Sequence, residues 1–176
     1  MIQYIDGKQV RNMFVSGANN LKNHKDLVDK LNVFPVPDGD TGTNMSLTIS
    51  CAIKELNKVE QDDIGQLGKA LSKGSLMGAR GNSGVILSQI IRGIAQSIDG
   101  KEMLTSMDIA EALKNGSDTA YKAVIKPVEG TILTVVRESS DYALKAAALE
   151  EDVIEFMKLL VKEANNSLNR TPELLH

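Results

Sequence analysis

Thiol and imidazole ligands are nearly absent from this 176-residue sequence: Cys51 is its lone cysteine, and His24 and His176 are its only histidines. One thiol closes no internal disulfide and builds no thiolate cage, and two histidines cannot furnish a histidine-rich metal centre. Aromatic residues are as scarce, with no tryptophan, three tyrosines and three phenylalanines. A core must therefore be assembled from Ala, Leu, Ile, Val and Met, a composition that favours helices over sheets. Nor does one sign of charge dominate, since 20 basic residues face 23 acidic ones for a net of -3. With neither a basic stripe nor aromatics to stack on bases, nonspecific nucleic-acid binding is excluded. No apolar run approaches the roughly 18 residues of a membrane span, and MIQYIDGKQV lacks the charged and apolar regions of a signal peptide. A soluble, cytoplasmic protein is expected.

What the sequence does contain is helical periodicity. Val10, Met13, Phe14, Gly17, Ala18 and Leu21 recur at the spacing of an amphipathic helix, with Asp6 placed to cap it. A weaker stretch through Leu27, Val28 and Leu31 stops before Pro35 and Pro37, which cannot continue a helix. Helical spacing resumes through Met45, Ile49, Ala52, Leu56 and Val59, and again around Leu67, Ala70 and Leu71. Val85 to Ile98 is the most apolar stretch and is expected to be central. Asp108 and Glu111 have capping-box spacing and are expected to open a helix that Pro127 closes. Two more stripes run from Ile132 to Ala146 and from Val153 to Leu168, the last ending near Pro172. Strand-like alternation and internal repeats are lacking.

About seven helices of roughly 14 to 20 residues on short connections form an antiparallel bundle. Each would span roughly 21 to 30 Å, enough to cross a domain of this size. In an up-and-down bundle every second connection lies at the same end. The connections Asn32 to Gly42, Gly78 to Gly84 and Lys126 to Gly130 are two helices apart each time, so a site is expected where they meet.

The first of them, Asn32-Val-Phe-Pro-Val-Pro-Asp-Gly-Asp-Thr-Gly-Thr-Asn-Met45, carries most information. Its prolines stiffen the approach and its glycines let the backbone turn sharply. Asp38 and Asp40 would hold two repelling carboxylates close together, a cost that a cation removes. An EF-hand loop starting at Asp38 would need glycine at its sixth position and glutamate at its twelfth, where Thr43 and Ile49 stand. Few carboxylates without a further protein cage suit Mg²⁺, which keeps waters and takes other ligands from substrate phosphates. The hydroxyls of Thr41 and Thr43 and the amides from Gly42 to Met45 lie at a helix start, where anions are attracted. The alternative is that Asp38 and Asp40 merely end one helix and cap the next.

Gly78-Ala-Arg-Gly-Asn-Ser-Gly84 is neither a Walker A loop nor a dinucleotide fingerprint nor a nucleophile elbow, for it lacks the lysine, the preceding strand and a histidine partner. It reads as a donor-rich loop that could cradle phosphates, with Arg80 as charge stabiliser. Alternatively its glycines serve close helix packing and Arg80 forms an ordinary surface pair. Lys126-Pro-Val-Glu-Gly130-Thr-Ile-Leu-Thr134 reads either as an anion and base contact or as a helix stop followed by a start.

These three segments, with Gly78-Ala-Arg-Gly-Asn-Ser-Gly-Val-Ile-Leu-Ser-Gln-Ile and Tyr121-Lys-Ala-Val-Ile-Lys-Pro-Val-Glu-Gly-Thr-Ile-Leu-Thr-Val in full, resemble in order the N-terminal domain of the bacterial fatty acid kinase ATP-binding subunit. That domain belongs to the wider dihydroxyacetone kinase L-domain family, also labelled DAK2 or Dak phosphatase. The resemblance spans essentially the whole chain. It implies a single all-α domain over residues 1–176, an antiparallel up-and-down helical barrel that binds ATP with two Mg²⁺ ions at one end. Asp38 and Asp40 match its metal-binding aspartates. Thr43, Asn44 and Gly81, Asn82 and Ser83 match positions around the phosphates, and Ile132 and Leu133 fall where the adenine is lined. A third aspartate of the dihydroxyacetone kinase branch falls nearest Asn32 or Val33, and a histidine of that branch is Thr41 here, which favours the fatty acid kinase branch. The family's later Asp-Gly-Gly loop and last helix have no counterpart, so the chain is expected to be an N-terminal fragment.

The function expected is transfer of the γ-phosphoryl of ATP to a fatty acid held by a separate fatty-acid-binding partner protein, with no residue assigned to the chemical step itself. The alternatives are a subunit acting on a small carbonyl such as dihydroxyacetone, and a noncatalytic helical interaction module.

Overall fold

A computed structural model describes all 176 residues and contains eight α-helices and no sheet. They are α1 (Gly7–Asn23), α2 (Lys25–Leu31), α3 (Thr41–Leu56), α4 (Ile64–Met77), α5 (Gly81–Ile98), α6 (Ser106–Ala123), α7 (Ile132–Leu149) and α8 (Val153–Leu174). The all-α expectation is met. Seven of the helices are long, and the weak stretch around Leu27 is a seven-residue helix of its own, α2, with no buried residue.

Local chemistry sets the boundaries. Asp6 and Gln9 close a capping box on α1, the side chain of each bonding the other's backbone N–H. Helix α6 starts earlier than Asp108 suggests. Thr105 is its cap, accepting from the Asp108 amide, while the Asp108 carboxylate accepts from the Thr105 amide. Asp108 is thus the third residue of the helix rather than its opener. Helix α5 begins at Gly81 instead of after Gly84, which puts Asn82 and Ser83 in its first turn. Helix α8 runs past Pro172 to Leu174. The proline lacks the N–H that would reach the Leu168 carbonyl, and the Thr171 hydroxyl supplies that bond instead at 2.7 Å.

Consecutive helices from α3 to α8 pack side by side, and α1 lies against α3 and α4. The core is aliphatic, as the composition required. Ala18, Ile49, Leu56, Leu67, Leu71 and Ile91 join α1, α3, α4 and α5, while Ile90, Ala120, Leu133 and Val136 join α5, α6 and α7. Burying each such Leu or Ile contributes about 1.5–3 kcal/mol. Phe156 on α8 sits fully buried among alanines of α6 and α7. Glycines bring the backbones of α5 and α6 together: a Cβ on Gly93 would lie 2.6 Å from the Gly116 Cα. A wholly hydrophobic cavity of about 180 Å³ remains where Val10, Phe14, Ile98, Leu113, Met157 and Leu160 converge. With no polar lining it offers water no partners.

The N-terminal segment ties down one end of the bundle. Ile5 and Leu104 exchange backbone bonds at 2.9 Å in both directions, and the Val153 amide donates to the Ile2 carbonyl at 2.7 Å. The opposite end carries the starts of α3, α5 and α7. No helix is long and apolar enough to cross a membrane.

Candidate functional site

The connection from Asn32 to Asp40 is shaped by its own side chains. Asn32 Nδ2 donates to the Val36 carbonyl at 3.1 Å, and its Oδ1 accepts the Asp40 amide at 3.2 Å. Asn32 thus organises the loop, whatever the aspartate of the related branch does at the corresponding place. Gly39 turns the chain at φ 71°, in the left-handed region open to glycine. That turn brings the exposed Asp38 and the half-buried Asp40 together: a hydrogen bond shared with Asp40 raises the Asp38 carboxyl above its ordinary value. No basic side chain pairs with either of them.

Asp40 occupies the cap position of α3, yet its side chain makes no capping bond. The capping alternative therefore fails for this residue. The first turn of α3 is held from α2 instead: the Thr43 amide donates to Asp29 Oδ1 at 2.8 Å and the Thr43 hydroxyl to Asp29 Oδ2 at 2.6 Å. Those bonds hold the Asp29 carboxyl below the usual carboxylate range. Thr43, expected beside phosphates, already has both donors engaged. Gly42 is buried against α2, where a Cβ would lie 2.2 Å from the Lys25 carbonyl. Thr41 and Asn44 are half-buried.

Asn44 joins the first loop to the second. Gly81 has φ 65° and passes so close that a Cβ would lie 2.5 Å from Asn44 Nδ2. One turn on, Thr48 is buried and bonds three backbone groups: its hydroxyl donates to the Asn44 carbonyl at 2.8 Å and lies 3.3 Å from both the Gly78 carbonyl and the Arg80 amide, which donates to it. Gly84 and Gly78 are packing glycines, with hypothetical Cβ atoms 2.4 Å from Thr48 Oγ1 and from Cys51. Close helix packing, one alternative for this loop, thus accounts for two of its glycines. The other half of that alternative fails, because Arg80 is exposed and forms no ion pair. Asn82 is exposed and Ser83 half-buried in the first turn of α5, where amides lack intrahelical partners.

The third connection is internally clasped. Glu129 accepts from Tyr121 Oη at 3.2 Å, from Arg137 Nη2 at 3.1 Å and from the Thr134 hydroxyl. The Gly130 amide donates to Thr134 Oγ1 at 2.8 Å. These bonds fix the start of α7 at the same end as the starts of α3 and α5, though none reaches either loop. Ile132 is half-buried, whereas Leu133 is 2% exposed and belongs to the core with Ile90 and Ala120. Leu133 thus backs this surface and does not line it.

Burial alone would raise the Glu129 carboxyl, but the bonds from Thr134, Arg137 and Tyr121 outweigh it and hold the group below its ordinary 4.5. A lowered carboxylate contributes stability that is present above the unfolded value and is lost as pH falls through the folded one. Stability of the wild type should therefore fall more steeply below pH 4.5 than that of Glu129→Gln. Urea midpoints measured from about pH 3 to 6 check this, and parallel curves would contradict it.

Reading the sequence missed Asp29, Thr48 and Glu129. Each acts across an interface between elements, so no local motif marks it, although Asp29 lies one helical turn before Asn32. No group of three or more His, Cys, Asp or Glu side chains gathers anywhere. A cation at Asp38 and Asp40 would take two protein carboxylates and complete its shell with water or ligand oxygens. A small hard ion of the Mg²⁺ kind fits that donor set, and thiophilic metals do not.

Residues 35–176 match the family model described as the DAK2 domain. The chain is 54% identical over 175 residues to an uncharacterized protein of Staphylococcus saprophyticus, which covers 99% of this chain and 32% of that protein. It is 52% identical over 174 residues to protein YloV of Bacillus subtilis, again over 99% of this chain and 32% of the relative. An uncharacterized protein of Staphylococcus aureus strain USA300 is 53% identical with the same coverage. The chain thus spans about a third of the length of these relatives.

Proposed function

The chain belongs to the DAK2 domain family, and from that premise we propose that it is the Mg-ATP-binding domain of a phosphotransferase whose acceptor is the carboxylate of a fatty acid presented by a separate lipid-binding protein. One observation carries the reading: Asn44 meets Gly81, so two helix N-termini converge beside two carboxylates that no side-chain cation neutralises. A site with two carboxylates and the partnerless first-turn amides of α5 suits a cation bound together with a polyphosphate.

Asp38 and Asp40 would hold Mg²⁺, with a second ion expected from the family resemblance. Bound there, the cation supplies charge neutralisation at the β- and γ-phosphates. The first-turn amides of α5, with Asn82 and Ser83, would orient the phosphates, and Arg80 adds an unpaired positive charge. Thr41, Gly42 and Asn44 would approach from α3, with Thr43 fixing that turn. Ile132 would flank the adenine, backed by Leu133. Transfer then breaks the bond between the γ-phosphorus and the β–γ bridging oxygen and forms one to an acyl carboxylate oxygen, releasing ADP and an acyl phosphate. Such chemistry needs positioning and electrostatics more than covalent participation by the protein.

Calorimetric titration with ATP tests the binding step. Heat of binding is expected with Mg²⁺ present and should vanish when EDTA removes it; equal binding with and without the metal would overturn the site, and no binding at all would leave a helical interaction module. Radiolabelled ATP offered with protein-bound fatty acid and, separately, with dihydroxyacetone tests the acceptor. Label appearing in dihydroxyacetone alone would replace the acyl carboxylate.

A further inference from the structure

Four helices have aspartate at the cap position: α1, α3, α4 and α8. Asp6, Asp63 and Asp152 each accept a first-turn amide of their own helix, from Gln9, Gln66 and Ile154. Asp40 alone does not. The amides that a cap side chain ordinarily takes are those of the second and third helical residues, here Gly42 and Thr43. The Thr43 amide goes instead to Asp29, at 2.8 Å. Helix α2 has no buried residue to explain its place against α3. What it contributes is polar: Asp29 in its last turn and Asn32 just past its C-terminus reach the Thr43 and Asp40 backbones. Gly42 permits the approach, since a Cβ would meet the Lys25 carbonyl at 2.2 Å.

We propose that Asp29 is a positioning residue for the metal site: by capping α3 from the neighbouring helix it releases the Asp40 carboxylate from that duty, leaving it beside Asp38 to bind a cation. The proposal rests on the metal reading given above. A carboxylate at the cap position has two competing uses, and in the absence of Asp29 the Thr43 amide, left without a partner, would draw Asp40 onto it. Asp29 removes the competition without touching the metal itself.

The test uses Mn²⁺ alone, followed by water-proton relaxation, and amide hydrogen exchange at Thr43. Asp29→Ala should weaken Mn²⁺ binding by about tenfold, the lower end of what lost supporting contacts cost a metal site. Asp29→Asn keeps one acceptor for the Thr43 amide and should stay within about threefold of wild type. On an Asp40→Ala background, Asp29→Ala should cause no further loss of Mn²⁺ affinity. Protection of the Thr43 amide should survive Asp29→Ala, because Asp40 takes over the cap, and disappear in the double variant. Unchanged Mn²⁺ affinity in Asp29→Ala, or a loss of the same size with and without Asp40, would overturn the proposal. Equal Mn²⁺ binding by wild type and Asp38→Asn would instead overturn the metal reading, and the exchange data would still report whether the cap moves. Should Asp29→Ala fail to fold, Asp29→Ser, with one short acceptor, replaces it in every comparison.

Discussion

Asp38→Asn should lower affinity for Mg-ATP by about 100-fold or more while leaving the fold intact. The substitution keeps size and shape and removes one charge from a pair that has no basic partner. Loss of an outer contact at a metal site typically costs 10–100-fold in affinity, so loss of one of the two proposed protein ligands should reach the upper end. Stability should move the other way. The Asp38 carboxyl is raised because Asp40 stands beside it, which means the metal-free protein holds two groups that would rather not both ionise. Neutralising one relieves that conflict, so the variant without metal should melt no lower than wild type. Calorimetry with Mg-ATP and a thermal melt in EDTA measure the two halves. An unchanged affinity would remove Asp38 from the site, and a lower melting temperature would show that its role is structural.

Phe156→Ala should remove about 3–5 kcal/mol of stability, a large part of the roughly 5–15 kcal/mol that holds a typical domain. Phe156 is 0% exposed and lies against Ala110 of α6, Ala143, Ala146 and Ala147 of α7, and Leu160 of its own helix. Three of those alanines share one face of α7 and leave a slot for the ring. Their side chains have no free torsion with which to fill it once the ring is gone, so most of the cavity should persist. Urea denaturation would show a lower midpoint, and α8 amides should exchange before those of the other helices. Phe156→Leu, which keeps most of the volume, should cost far less. Nucleotide affinity of the folded Phe156→Ala fraction should be unchanged, which separates this effect from that of Asp38. A loss under about 1 kcal/mol would mean that the slot collapses.

Much of the fold was legible because helix signals are local. The stripes from Val10, Met45, Leu67, Val85, Ile132 and Val153 all became helices, and Asp6 caps α1 as its position implied. The misjudged boundaries have equally local causes that compete with stronger-looking signals. Thr105 outranks Asp108 as a cap because its hydroxyl and the Asp108 carboxylate satisfy each other's amides. Pro172 fails to stop α8 because the Thr171 hydroxyl reaches the carbonyl it leaves open.

The candidate site divides along the same line. The sequence by itself determined an aliphatic, all-helical domain, and it marked Asp38, Asp40 and the segment around Gly81 as its chemically unusual places, since these depend on composition, periodicity and turn residues that neighbours along the chain decide. Tertiary structure alone decided which of them work together. Asn44 meets Gly81 across an interface, Leu133 turns into the core while Ile132 stays at the surface, and Thr43 gives its donors to Asp29. A cap can come from any acceptor that packing brings within reach of an orphan amide, so whether Asp40 is a cap or a free carboxylate depends on the placement of α2, residues away in sequence and visible only once the chain has folded.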